Sequence, residues 1–215
     1  MTPIVTAREA MLLRASLWPQ VSLYDKQVEI VESTFTNSET YCVAGNRLGK
    51  DFVAAFIALS AAIICEAKGK TFRIITTSVA EHHLKVLWGE IGRFIQTSSR
   101  PLIRGKNAAS SQGATRGPFT LNYQEMRTAR EGYAKNPLSY LAGRVSAKGE
   151  GMAGHHADFS LVIGDEASGL DDEVYAMCQG WAEHMLWIGN PNNCSNFFRK
   201  GVEGGDVPRQ KATAK

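Results

Sequence analysis

Cysteine is scarce in this 215-residue chain, and its four copies are badly spaced for cross-linking or metal binding. Cys42, Cys65, Cys178 and Cys194 form no C-x-x-C pair, which argues against a zinc ribbon and against a secreted disulfide framework. No apolar run is long enough to span a bilayer. The longest, Phe52 to Cys65, is broken by Ser60 and reads as a buried helix. The opening residues, MTPIVTAREAMLLRASLW, hold no apolar segment of signal-peptide quality. Proline, glycine and charge are not extreme: 7 Pro, 20 Gly, 44% hydrophobic and 21% charged residues exclude collagen-like, low-complexity and disordered classes. A chain of this size buries roughly 70% of its unfolded surface and needs no covalent or metal staple. The expectation is a soluble intracellular protein of one large domain, or one domain plus an appendage.

Basic residues are missing from one long stretch. From Gly149 to Phe198 there is no Lys or Arg, while eight acids occur. From Arg93 to Lys148 the balance reverses, with ten basic residues against two acidic ones. The net charge of +3 hides this asymmetry. One segment can face a polyanion and the other a divalent cation; a solvated basic face and an acidic surface helix are the plainer alternative.

Hydrophobic periodicity gives a strand–helix alternation. Thr6-x-x-Glu9 is a capping box, and Ser22 is a cap for a second helix through Glu32. Strands are predicted at Glu39 to Ala44, Thr71 to Thr77, Phe119 to Tyr123, Ser139 to Ser146, Ser160 to Gly164 and Met185 to Gly189. Helices are predicted from about Lys50 to Ala67, after a Ser78-x-x-Glu81 capping box, and from Asp171 to His184. Leu84, Leu87, Trp88, Ile91, Phe94 and Ile95 share one face of the helix after Ser78 and read as core. Gly105 to Gly117 is a small, polar loop, and the end of the chain reads as a basic, mobile tail. Near-continuous apolar strands alternating with helices imply an α/β, three-layer fold around a mostly parallel sheet.

The central signal is YCVAGNRLGKDFVAAF, a strand, a Gly-containing turn and a helix. Backbone N–H groups of such a turn and the positive end of the helix bind phosphate. Lys50 would reach the β- and γ-phosphates; Gly49 would allow close backbone approach and Gly45 the tight turn. The loop residues Gly45, Asn46, Arg47, Leu48, Gly49, Lys50 and Asp51 are the candidate nucleotide cradle. The match to G-x-x-x-x-G-K-[ST] departs at Ala44, in the first Gly position, and at Asp51, in place of the hydroxyl residue. Asp51 is either a direct Mg²⁺ ligand or a negative charge that weakens triphosphate binding.

SLVIGDEASG supplies the acidic partner that such a loop needs. Asp165 would hold Mg²⁺ and Glu166 would orient and deprotonate the attacking water. Gln27 and Tyr24, in LYDKQVEIVES, are candidates for reading and stacking on adenine, against a solvated helix face as the alternative. Asn190, in MLWIGNPNN, can sense the γ-phosphate, against a plain Asn-Pro turn.

YDKQ, AGNRLGKD, the RIITTS strand, VIGDEASG and WIGNP, in this order, resemble the ATPase domain of large terminase subunits, the motors that package DNA into phage and herpesvirus capsids. The resemblance runs roughly from Leu23 to Asn193. It implies an αβα P-loop NTPase fold of the additional-strand, catalytic-Glu type, with ATP and Mg²⁺ as cofactors. By the same resemblance Gln27 is the adenine-motif residue, Lys50 the phosphate-loop Lys, Arg47 a phosphate sensor in cis, Asp165 the metal Asp, Glu166 the catalytic Glu and Asn190 part of the coupling motif. The implied partners are double-stranded DNA gripped through its phosphates, further copies of the chain in a ring on a capsid portal, and a small terminase subunit, in the host cytoplasm and away from any membrane. The basic loop with Lys106 and Arg116 would contact DNA.

Three features depart from the family pattern: Ala44, Asp51 and GMAGHHAD (Gly151 to Asp158), where many terminases carry a trans-acting Arg. Arg144 is the nearest basic residue and receives no role. His155 and His156 lack a third ligand at zinc spacing. The nuclease of full-length terminases, which needs clustered carboxylates, is expected on another stretch of chain or another polypeptide, since only Glu203 and Asp206 follow Asn193. The organisation implied is a helical lead-in (1–22), a motor domain (23–195) and a tail (196–215). The competing readings are a helicase-like ATPase and a nucleotide-binding assembly module with little turnover.

Overall fold

The computed structural model describes residues 3–45, 48–104, 117–130, 137–145, 156–190, 194–204 and, as backbone, 211–213. Helix α1 (Ala7–Leu17) starts at the expected capping box. The Thr6 hydroxyl accepts from the Glu9 N–H at 3.2 Å, and the Glu9 carboxylate accepts from the Thr6 N–H at 3.1 Å. Helix α2 (Asp25–Thr36) begins later than a Ser22 cap predicts. Tyr24 is its N-cap, and Asp25 places a carboxylate in the first turn, where the helix dipole favours it. Strand β1 (Glu39–Val43) leads into helix α3 (Lys50–Ala67), whose limits match the sequence reading.

Strand β2 (Phe72–Ser78) is followed by helix α4 (Glu81–Thr97). Ser78 does not cap α4. It is the last residue of β2, in register with Val145 on one side and Asp165 on the other. Pairing on both sides keeps its backbone extended, so Ala80 becomes the N-cap. Next come β3 (Phe119–Asn122), β4 (Glu125–Thr128), β5 (Tyr140–Val145) and β6 (Phe159–Asp165). Helix α5 (Asp172–Gln179), β7 (His184–Gly189), α6 (Phe197–Glu203) and β8 (Lys211–Thr213) complete the chain.

The sheet order is β3-β4-β5-β2-β6-β7-β1-β8. Strands β5, β2, β6, β7, β1 and β8 run parallel, while β3 and β4 form an antiparallel hairpin on β5. Strand β7 is inserted between β1 and β6. This is the expected additional-strand arrangement.

Alternate residues of the parallel strands bury into two cores. Ile74, Leu161, Ile163, Leu186 and Ile188 pack with Val31, Phe56, Leu59, Leu87 and Phe94 on the face covered by α1 to α4. Ile75, Val162, Met185 and Trp187 pack with Val174, Phe197 and Phe198 on the opposite face. Both sheet faces are therefore apolar, which explains the near-continuous hydrophobic strands.

Within residues 1–22, helix α1 and Trp18 pack onto the main core. Trp18 is fully buried, donates its indole N–H to the Phe94 carbonyl at 2.7 Å, and meets the Phe94 and Phe56 rings edge-on. Helix α5 ends at Gln179 instead of reaching His184, because the chain must return through Gly180 to start β7. Residues of α6 fall within the stretch 196–215. Phe197 and Phe198 are buried, and Gly201 lies so close to the Tyr41 ring that a Cβ there would stand 2.2 Å from it. Trp88 and Phe94 are core residues as expected, and the Trp88 indole donates to the Thr76 hydroxyl at 3.0 Å. The loop holding Lys106 and Arg116 lies outside the described residues. Among the described residues no helix is long and apolar enough to cross a membrane.

Candidate functional site

The carboxyl ends of β1, β7, β6 and β2 meet beside the N-termini of α3 and α4, the usual place for a ligand in an open α/β sheet. Strand parity selects the side chains there. Ser78 and Asp165 continue the alternation of Ile74 and Ile163, and Asn190 that of Ile188, so all three stand on the α3–α4 face.

The loop between β1 and α3 is held from both ends. The Ala44 N–H donates to the Gly189 carbonyl at 3.1 Å, which ties the loop base to β7. Gly49 is the N-cap of α3 with φ of +70°, a left-handed conformation that favours glycine. A Cβ at Gly49 would stand 2.8 Å from Gln27 Nε2. Gln27 is buried against this turn, and the Tyr24 hydroxyl donates to the Leu48 carbonyl at 2.6 Å. The start of α2 thus clamps the loop, with the Tyr24 ring half-exposed. Gly45 does not adopt a left-handed φ, and among the described residues a Cβ there would meet nothing within 4 Å. Asn46 and Arg47 lie outside the described residues.

Lys50, the first residue of α3, is buried and reaches across the sheet ends. Its Nζ donates to Asn190 Oδ1 at 2.8 Å and pairs with Glu166 Oε1 at 3.3 Å. Asn190 Nδ2 donates in turn to Glu166 Oε2 at 3.4 Å. Three residues from three segments, separated by 116 and 140 positions from Lys50, close one polar triangle. Glu166 adopts φ of +51°, a left-handed conformation that costs a non-glycine residue about 1 kcal/mol. The turn bends the chain sharply after β6 and brings the carboxylate over the sheet end.

Negative charge is in excess here. Burial, then the nearby charges of Asp51 and Glu166, push the Asp165 carboxyl from its ordinary 3.8 up to about 7. Burial also raises Asp51, with Lys50 opposing and Glu166 reinforcing the rise. Three carboxylates therefore share one buried ammonium. A divalent cation bound among them would relieve this imbalance, and oxygen donors on Asp51 and Asp165 suit Mg²⁺. The donor set fits the metal that the sequence implies.

One nearby group has no counterpart in the sequence reading. A nitrogen of His83, in the first turn of α4, and one carboxylate oxygen each of Asp165 and Glu166 lie within 4.8 Å of one another. The available signal was a His pair directly after a strand, but only the β2–β6 pairing brings it to Asp165. By contrast, His155 lies outside the described residues and His156 is exposed. Arg144 faces away from this cluster and pairs with Glu125 at 2.8 Å.

No protein-family model matches the chain, and no curated protein does. Solved structures match over 91% or 92% of its length. The ATPase domain of the Thermus phage P74-26 large terminase is 14% identical with a TM-score of 0.60, over 91% of this chain and 82% of that one. An Arg-to-Ala mutant of that domain gives a TM-score of 0.61 at the same identity and coverage. The HK97 bacteriophage large terminase is 10% identical with a TM-score of 0.61, over 92% of this chain and 40% of that one. The chain shares their fold.

Proposed function

We propose that this chain is an ATP-hydrolysing motor domain of the terminase type, which drives double-stranded DNA into a viral capsid. The observation that carries the reading is the Lys50–Glu166–Asn190 triangle with Asp51 and Asp165 beside it, at the sheet end where this fold holds phosphates. Lys50 would exchange its bonds to Glu166 and Asn190 for the β- and γ-phosphate oxygens. Amides of the 45–50 loop would bind the same phosphates. Tyr24 and Gln27 sit beside the loop, where an adenine ring would be read. Mg²⁺, held by Asp51 and Asp165, would neutralise charge on the β- and γ-phosphates.

Once Lys50 has moved to phosphate, Glu166 is free to accept a proton from water as that water attacks the γ-phosphorus in line. ADP leaves with the electron pair of the broken P–O bond. Asn190, released from Lys50, would pass the change to the segment that follows β7. DNA, portal, sister subunits in a ring and a small terminase subunit are the partners of this reading, and the host cytoplasm its setting. The nuclease would lie elsewhere on the full chain or on another chain.

The test is ATP turnover of the wild type and of Glu166→Gln, with Mg²⁺, DNA and portal present. A fall of at least about 100-fold in the variant supports the motor. A wild type no faster than the variant overturns it.

Asp51 favours a second reading, a nucleotide-binding assembly module with little turnover. Its carboxylate sits where a neutral hydroxyl is usual, next to two further acids. A large gain in hydrolysis on Asp51→Thr favours that reading; a loss favours metal ligation by Asp51.

A further inference from the structure

We propose that His83 supplies a nitrogen ligand to the cation held at Asp165 when that cation accepts imidazole, as Mn²⁺ does, so that the site takes such an ion as well as Mg²⁺. The inference rests on the reading of Asp165 as a metal carboxylate and adds the coordination chemistry of that site. It begins with topology. Strand β2 pairs directly with β6, and α4 starts three residues after β2 ends. The first turn of α4 therefore overhangs Asp165.

The geometry is compatible with one ion. Ligand atoms of His83, Asp165 and Glu166 all lie within 4.8 Å of one another. Neighbouring ligands on an ion with bonds of about 2.1 Å stand about 3 Å apart, so rotation of the side chains towards one another would bring His83 and Asp165 onto one ion. Among the described residues, no hydrogen bond engages the His83 ring, which meets the His82 ring at a tilt of 40° with centroids 4.0 Å apart.

A separate observation points to a missing ligand at the same place. Ser78 is fully buried, and its hydroxyl has no hydrogen-bond partner among the described residues. It is in register with Asp165 and on the same sheet face. A buried hydroxyl without a partner costs about 1–3 kcal/mol, and a hydrated cation at Asp165 would give it one.

The chemistry then sets which ion gains from His83. Mg²⁺ selects oxygen ligands and keeps its waters, whereas Mn²⁺ and later first-row ions accept imidazole with carboxylates. The test uses Mn²⁺, alone and with β,γ-methylene ATP, on wild type and His83→Gln, each with circular dichroism as a fold control. In wild type, pulsed EPR is expected to show nitrogen coupling to Mn²⁺ that changes when histidine is ¹⁵N-labelled. His83→Gln is expected to lose that coupling and bind Mn²⁺ at least about tenfold more weakly, with Mg²⁺ affinity little changed. Absence of histidine coupling in wild type, or equal Mn²⁺ affinity in the two proteins, overturns the inference. Nucleotide binding, measured in parallel, separates the two readings. Bound nucleotide without histidine coupling leaves the ATPase reading and removes this one; histidine coupling without nucleotide binding does the reverse.

Discussion

Two carboxylates of this chain are embedded in opposite ways. Glu125 lies on the β4 hairpin between two guanidinium groups: Arg144 pairs with it at 2.8 Å and Arg127 pairs with it as well. Those hydrogen bonds and charges outweigh its partial burial and hold its carboxyl below the ordinary 4.5. Asp165 is buried beside Asp51 and Glu166 and is pushed up to about 7. Glu125 is over-supplied with cations, and Asp165 is starved of them. The first arrangement is complete within the chain. The second holds more negative charge than the nearby lysine balances, and on the proposed reading that difference separates a structural contact from a candidate site.

The comparison breaks first on catalysis. Glu166→Gln is expected to lower ATP turnover at least about 100-fold, while Glu125→Gln leaves it within about twofold. A similar loss in both would remove the distinction. The next effect is on stability against pH. The raised Asp165 pKa means the metal-free folded state binds a proton more tightly than the unfolded chain does. Its contribution is fully present below pH 3.8 and is lost as pH rises towards about 7. Asp165→Asn should therefore stabilise the metal-free protein by about 2 kcal/mol at pH 8 and by little at pH 4, measured by urea unfolding. Saturating Mg²⁺ should abolish that advantage.

Gly49→Ala comes third. Its left-handed φ and the 2.8 Å approach to Gln27 predict a loss of about 1–2 kcal/mol, together with weaker nucleotide binding by fluorescence titration. The smallest effect belongs to Glu125→Gln, about 0.5–1 kcal/mol at pH 7. Because the Glu125 pKa is lowered, that difference should vanish as pH falls below the ordinary carboxyl range.

What the sequence revealed follows the range of the interactions involved. Helix α3 was legible to the residue because its apolar run and the Gly-Lys start are local. Lys50, Glu166 and Asn190 were legible because each ends a strand or begins a helix in a recognisable order. Strand β4 was missed: EMRT is short and charged, and its hairpin turns at Tyr123, which adopts φ of +50° without the glycine or asparagine that signals such a turn. The Ser78 cap failed because only the finished sheet shows that β2 is flanked on both sides. His83 was invisible for the same reason, since no local pattern records which strand lies beside β6.

The bond from Lys50 to Glu166 has one further consequence. Under the proposed mechanism, the carboxylate that would take the proton is paired with the same lysine that phosphate would recruit. In that mechanism, drawing the ammonium onto phosphate and unmasking the carboxylate would be a single event.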